Sequence, residues 1–406
     1  MGASNRDCQV AVVGAGPAGS AAAYFLAQRG LDVLLIDRSH FPRDKTCGDG
    51  LSPRALKVME TMGALPQARA LGQAIEGVRF FSPDGTAVEA RLPPYATHPP
   101  YALILPRLIL DDLLRTRALS AGARFLGRTH IVKLRAYAAG VELEGKDGAG
   151  TIRARAAVLA TGTSTSLLHA SRVLRRRPPF LVAARGYFEG LERRPEQIDL
   201  HFDGVPLPGY GWVFPTGDGT ANVGAGTLGP SAAFDRLGRN SRRLFDGFLG
   251  LPSMRAELGS GRRLGPVKSY PLRTDFSRAP TFGHRILLAG EACGLVNPLT
   301  GEGIDYALES GQIAGEFLAE ILLSGEPRPT VWREYDRRLR RRFQRSFEYT
   351  HRMRRVYLRP WFLNRFLRLA RLRPELEHML VDIALGMRDA AQATSLKTLY
   401  KFLRLT

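Results

Sequence analysis

The chain has 406 residues, 44% of them apolar, a net charge of +20 and three cysteines. That size suits two domains with sizeable cores, while Cys8, Cys47 and Cys293, without any Cys-x-x-Cys, exclude a disulfide framework or an iron–sulfur cluster held by this chain alone and fit a reducing cytosol. No stretch reaches the roughly 20 apolar residues of a spanning helix, and the N-terminus lacks both a signal-peptide pattern and, with Arg6 where Ser or Thr is needed, a myristoylation pattern, so any membrane is expected to be met from the side.

The first element, CQVAVVGAGPAGSAAAYFLAQRGLDVLLIDR, reads as strand, glycine turn, alanine-rich helix, Gly30 as C-terminal punctuation, and a second apolar strand ending at Asp37. Gly14, Gly16 and Gly19 supply the tight turn, the close backbone approach to a pyrophosphate and the close helix–strand packing, and the helix N-terminus faces the anion. Asp37, 18 residues beyond Gly19, is placed to accept hydrogen bonds from a ribose.

The middle of the chain is strand-rich. GVRFFSPDGTAVEARL carries a Pro-Asp-Gly hairpin turn, and FLVAARGYFEGL and QIDLHFDG alternate as strands do. PGYGWVFPTGDGTANVGAG, residues 208 to 226, puts Tyr210, Trp212 and Phe214 on one side of a strand whose regular pattern ends at Pro215. Such a stripe is either a core face filled with aromatics or the wall of an apolar pocket.

RILLAGEACGLVNPLTGEGIDYALESGQIAGEFL, residues 285 to 318, reads as a buried strand, a turn and a glycine-interrupted loop opening a long helix near Ile304. Gly301 and Gly303 allow close approach of a ligand to backbone, and the helix start offers free N–H groups and its positive dipole end. Beyond it lies the basic tail: between 331 and 373, fifteen arginines stand against Glu334, Asp336 and Glu348, a net +12. Pro360 can open a helix with Phe362, Leu363, Phe366, Leu367, Leu369 and Ala370 on one face and Arg365, Arg368 and Arg371 on the other. Two readings fit, an interfacial helix on anionic lipid or a helix docked on the catalytic domain with a solvated arginine face. Nucleic acid is not expected, because no recognition fold accompanies the charge.

GAGPAG, PRDKTCGDG at 42 to 50 and GEACGLVNPLTGEGI at 290 to 304 together resemble the FAD-containing superfamily of aromatic hydroxylases and geranylgeranyl reductases. CGDG and the Tyr-x-Trp-x-Phe-Pro string resemble the geranylgeranyl reductase family in particular, over residues 8 to about 320. The implied fold is α/β: a Rossmann-type FAD-binding domain (1–75, 105–175, 280–330), an inserted antiparallel-sheet substrate domain (76–104, 176–279) and a helical, basic amphipathic C-terminal region (331–406). The resemblance implies that Gly14, Gly16, Ala18, Gly19, Asp37 and Arg38 hold the ADP half of FAD, and that Arg43, Cys47, Gly48 and Arg107 contact the cofactor. It also implies that Gly290 and Glu291 (Asp is usual) lie by the ribityl and pyrophosphate region, with Gly301, Gly303 and Ile304 presenting amides to the isoalloxazine. No metal is expected. AAVLATGTSTS, with Thr161 where hydroxylases carry Asp, favours reductase over hydroxylase.

The expected activity is saturation of carbon–carbon double bonds in a polyprenyl chain on a lipid, quinone or diphosphate, with Tyr210, Trp212 and Phe214 lining the substrate platform. An isolated alkene accepts hydride poorly, so proton delivery to the neighbouring carbon is required; Cys47, Asp49 and Tyr210 are the candidate donors. The reductant is expected to be NAD(P)H or a ferredoxin-type donor, and the location cytoplasmic, on the inner face of the membrane. A flavin-dependent monooxygenase and an electron-transfer flavoprotein to quinone are the alternatives.

Overall fold

The computed structural model describes residues 7–146, 150–191, 194–227 and 237–387. Of the tail assigned above, 388–406 lie outside the described residues.

Five parallel strands form the centre of the first sheet, in the order Ile286–Leu288, Thr151–Leu159, Cys8–Val13, Val33–Ile36 and Arg124–Leu126. Val33–Ile36 is buried throughout, as a parallel strand covered on both faces must be. Helix Pro17–Ala27 is buried along its whole length, with small side chains through its first seven residues. It packs against helix Ile304–Leu323, where a Cβ at Gly311 would overlap the Ala18 carbonyl and one at Gly315 would lie 2.9 Å from that of Ala22. Glycines four apart thus bring the two helices to backbone contact and put both N-termini at one end of the sheet.

A seven-stranded sheet stands over that end. Its order is Arg262–Arg273, Phe180–Glu189, Thr220–Thr227, Gly209–Gly217, Gln197–His201, Gly77–Phe81 and Ala87–Arg91. Its outer face is closed by helices Leu237–Leu249 and Pro252–Leu258, with Phe245, Phe248 and Met254 packed on Val213, Val223 and Ala225. The aromatic stripe belongs to the other face. In the antiparallel register Tyr210, Trp212 and Phe214 stand opposite Gly226, Gly224 and Asn222, so the neighbouring strand leaves room for large rings. The strand runs two residues past the expected break, since Pro215 stays in the ladder opposite Ala221 before the register shifts.

The tail folds back as helices Trp332–Leu339, Arg345–Tyr357, Pro360–Ala370 and Pro374–Ala384, with a π-helical turn at Arg340–Gln344. Of the two readings of helix Pro360–Ala370, the docked one describes its apolar face. Phe362, Leu363, Phe366, Leu367, Leu369 and Ala370 are all buried, in one cluster with Phe80, Val88, Leu200 and Trp212 of the sheet. Much of the arginine charge is structural as well: Arg340 donates to the carbonyls of Phe276 and Ala279, Arg342 pairs with Glu309, Arg338 with Glu320 and Arg368 with Asp84. Among the described residues of the tail, the exposed large hydrophobic side chains are Trp361 and Leu372, at 59% and 77%.

Candidate functional site

Between the two sheets and the tail lies a cavity of about 600 Å³. One end is built by the first glycine turn. Gly14 has φ +105°, and a Cβ there would overlap the Ala160 carbonyl; at Gly19 it would overlap the carbonyl of Gly14, so both are forced by packing. Gly16 differs: the nearest atoms to a Cβ are Arg43 Nη2 at 3.4 Å and Arg107 Nη2 at 3.8 Å, both cationic. Gly16 also begins helix Pro17–Ala27 with no side chain capping its free N–H groups. An uncapped helix start with two guanidiniums facing it suits a pyrophosphate. Asp37 is held ready, accepting from the backbone N–H groups of Ala15 and Ser39 at 2.8 Å each.

Arg107 is 3% exposed and grips Asp111 with Nε and Nη2 at 2.7 and 2.8 Å; Arg43 Nη1 reaches the same carboxylate at 2.8 Å. Burial opposes the Arg107 charge, but Asp111, with Cys47 adding to it, holds the guanidinium above its ordinary range. Lys45 reaches Glu291 at 3.2 Å, and the backbone N–H of Arg273 donates to the other oxygen at 3.1 Å, so the longer carboxylate found in place of Asp is fixed from both sides. Gly301, Gly303 and Ile304 also line the cavity, as do Ala18, Arg38 and Gly48. Gly290 does not reach it: it packs on Ala18 and Ala307 and donates its N–H to Ser310 Oγ at 2.8 Å.

The aromatic stripe forms the next wall, with Tyr210, Trp212 and Phe214 at successive ring separations of 5.9 and 6.2 Å. Tyr210 donates its hydroxyl hydrogen to the Thr300 carbonyl at 2.5 Å, and Phe214 lies against Gly48 and Gly50, so the stripe touches both loops assigned to the cofactor. Trp212 Nε1 donates to Asn222 Oδ1 at 3.0 Å; Asn222 Nδ2 donates in turn to the Cys47 carbonyl and to Asp49 Oδ2, both at 2.7 Å.

The three expected proton donors separate here. Asp49 is fully buried and off the cavity wall; its carboxylate also accepts from Tyr187 Oη at 2.6 Å and the Arg107 N–H at 3.2 Å. Burial pushes its carboxyl up to about 6, with the Tyr187 and Asn222 hydrogen bonds pulling the other way. Asp49 is therefore a positioning residue for the Cys47–Gly50 loop. Cys47 and Tyr210 do line the cavity, and burial holds the Tyr210 phenol above its usual range, keeping it protonated. Cys293 donates to the Gly290 carbonyl away from the cavity, and burial raises its thiol to about 12. Sequence reasoning missed the roof: Tyr357, Phe362, Phe366 and Leu380 close the cavity from the tail. Their helical periodicity was the available signal.

A parallel sheet with a glycine turn at its first crossover, a second glycine loop opening a long helix and an antiparallel sheet laid over both define a dinucleotide-binding fold. The FAD binding domain family matches residues 7–171. A menaquinone reductase of Mycolicibacterium smegmatis is 35% identical over 79% of this chain and 78% of its own length, and a digeranylgeranylglycerophospholipid reductase of Methanopyrus kandleri is 32% identical over 84% and 88%. The crystal structure of a geranylgeranyl bacteriochlorophyll reductase-like protein from Thermoplasma acidophilum has the same fold, with a TM-score of 0.74 at 23% identity over 98% of this chain and 96% of that one. The chain belongs to the geranylgeranyl reductase family of FAD-dependent oxidoreductases, and its cofactor is FAD.

Proposed function

We propose that the enzyme saturates carbon–carbon double bonds of a polyprenyl chain carried by a lipid or a quinone. The observation that carries this reading is the shape and lining of the cavity, which continues from the cofactor cradle into an apolar end walled by Phe80, Trp212, Phe362 and Phe366. A chain of isoprene units gains roughly 25 cal/mol for each Å² it buries there, and the aromatic faces tolerate positive charge developing at a tertiary carbon. FAD, once reduced, supplies the hydride equivalent for the alkene. The protein does the rest. Gly16, Arg43 and Arg107 hold the pyrophosphate, Asp37 the ribose, and Gly301 to Ile304 the ring system; Trp212 and Phe214 fix the chain, and the roof excludes water. The names of the relatives support both a quinone and a phospholipid as carrier.

NAD(P)H or a ferredoxin-type donor is the proposed reductant. No described helix is long and apolar enough to cross a membrane; the proposed approach to lipid is peripheral, through exposed Trp361 and Leu372 among the tail arginines, on the cytoplasmic face. The test is anaerobic reduction of the purified flavoprotein, incubation with extracted lipid, and mass spectrometry. A gain of two hydrogens per double bond is expected. Oxygen consumption with hydroxylated product, and no saturated product, overturns the proposal.

A further inference from the structure

The cavity wall holds an acid that the sequence reading left aside. Glu302, between Gly301 and Gly303, lines the cavity, yet its Oε2 is sealed from solvent and has no hydrogen-bond partner. Gly386, with φ +61° at the end of the roof, comes so near that a Cβ there would overlap this oxygen. Behind Glu302 stands Asp305, 3% exposed, with neither carboxyl oxygen hydrogen-bonded. Its cation is Arg54, 3.6 Å from Oδ2, and Arg54 is shared: it donates to the Gly386 carbonyl at 3.2 Å and pairs with Glu309, which Arg342 also holds at 2.7 Å.

Two buried acids therefore face one already engaged guanidinium. An ionised carboxylate without a donor is among the costliest groups to bury, so the pair keeps a proton. Burial and then the Asp305 charge hold the Glu302 carboxyl well above the usual range, against Arg54 and the Thr300 hydroxyl; Asp305 is raised by burial too. The phenols of Tyr95, Tyr210 and Tyr306 also feel Glu302, and Tyr210 belongs to the aromatic stripe. On the far side of Arg54 a cleft of about 220 Å³, lined also by His98, Glu309 and Arg342, gives the cluster a second opening.

We propose that Glu302 is the catalytic proton donor of this enzyme. The assignment rests on the polyprenyl-reductase reading. As hydride reaches one alkene carbon, the π pair forms a bond to the proton of Glu302 at the neighbouring carbon. The π bond and the O–H bond break, two C–H bonds form, and Glu302 is left as a carboxylate. The two electrons come from the external reductant by way of the cofactor, and Glu302 regains its proton from solvent.

Glu302→Gln removes the acid at constant size, and Glu302→Asp keeps it one methylene shorter. Flavin absorbance reports whether each variant retains cofactor. Infrared difference spectra of the resting protein, in which the carbonyl stretch of a protonated carboxylic acid is expected at neutral pH in the wild type, test the protonation apart from turnover. Glu302→Gln should lose that band, keep its flavin and reduce substrate at least about 100-fold more slowly. Glu302→Asp should recover part of the rate. A wild type without the band, or a Glu302→Gln enzyme as fast as wild type, overturns the assignment. A wild type that leaves every double bond intact removes the reductase reading and the donor role together, whereas equal saturation by wild type and Glu302→Gln removes the donor role alone.

Discussion

Asn222→Ala tests how the substrate sheet is tied to the cofactor loop. Asn222 is fully buried, and its amide makes three contacts at once: it donates to the Cys47 carbonyl and Asp49 Oδ2 at 2.7 Å and accepts from Trp212 Nε1 at 3.0 Å. Truncation strands a carbonyl, an indole N–H and one side of a carboxylate. Leaving a buried polar group unsatisfied costs about 1–3 kcal/mol, and because water admitted to the gap recovers part of this, the expected loss is about 3–6 kcal/mol. Asp49 also loses a donor to its ionised form, so its carboxyl should move above its present value of about 6. Urea unfolding followed by flavin fluorescence measures the loss. Trp212→Phe, which removes only the indole N–H, supplies the second arm of a double-mutant cycle with an expected coupling of about 0.5–3 kcal/mol. A variant destabilised by less than about 1 kcal/mol, with additive effects and unchanged KM for the prenyl substrate, would refute the view that this amide couples the sheet to the loop.

Gly16→Val should fold, because no backbone opposes its Cβ, yet purify colourless because the side chain fills the pyrophosphate cradle; circular dichroism and flavin absorbance check both halves. At Gly224→Ala the new methyl overlaps the Trp212 ring, so KM for long prenyl chains should rise while bound flavin is retained, as kinetics against chain length would reveal. Asp49 has a folded value of about 6 against an ordinary 3.8, so its contribution to stability is complete below about 4 and is lost as pH rises through 6; the loss is at most about 3 kcal/mol. Asp49→Asn should flatten that part of the stability curve relative to wild type, measured as urea midpoints from pH 4 to 7. Phe366→Ser, placed on a buried face rather than on lipid, should cost at least about 3 kcal/mol and open the cavity roof; an unchanged melting temperature with weakened binding to anionic vesicles would restore the lipid-facing reading.

Local rules wrote much of this molecule into its sequence. The first glycine turn, Asp37 and the helix at Ile304 are set by short-range demands: left-handed backbone at Gly14, room for an anion at Gly16, and a period that switches from strand to helix. The one-sided aromatic stripe follows from strand alternation alone. What covers a face does not. The pattern of Phe362, Phe366 and Leu369 is the same whether its solvent is lipid or protein, because both are apolar, and only the folded chain shows the sheet lying against it. Protonation is equally non-local. Asp49 and Glu302 both sit in short glycine-rich loops, and nothing within either loop distinguishes them. Asp49 is sealed off by Tyr187 and Asn222, more than 130 residues away, while one oxygen of Glu302 is closed off by Gly386, more than 80 residues away. Such separations close only in the tertiary structure, and the free energy of a charge depends on what then surrounds it.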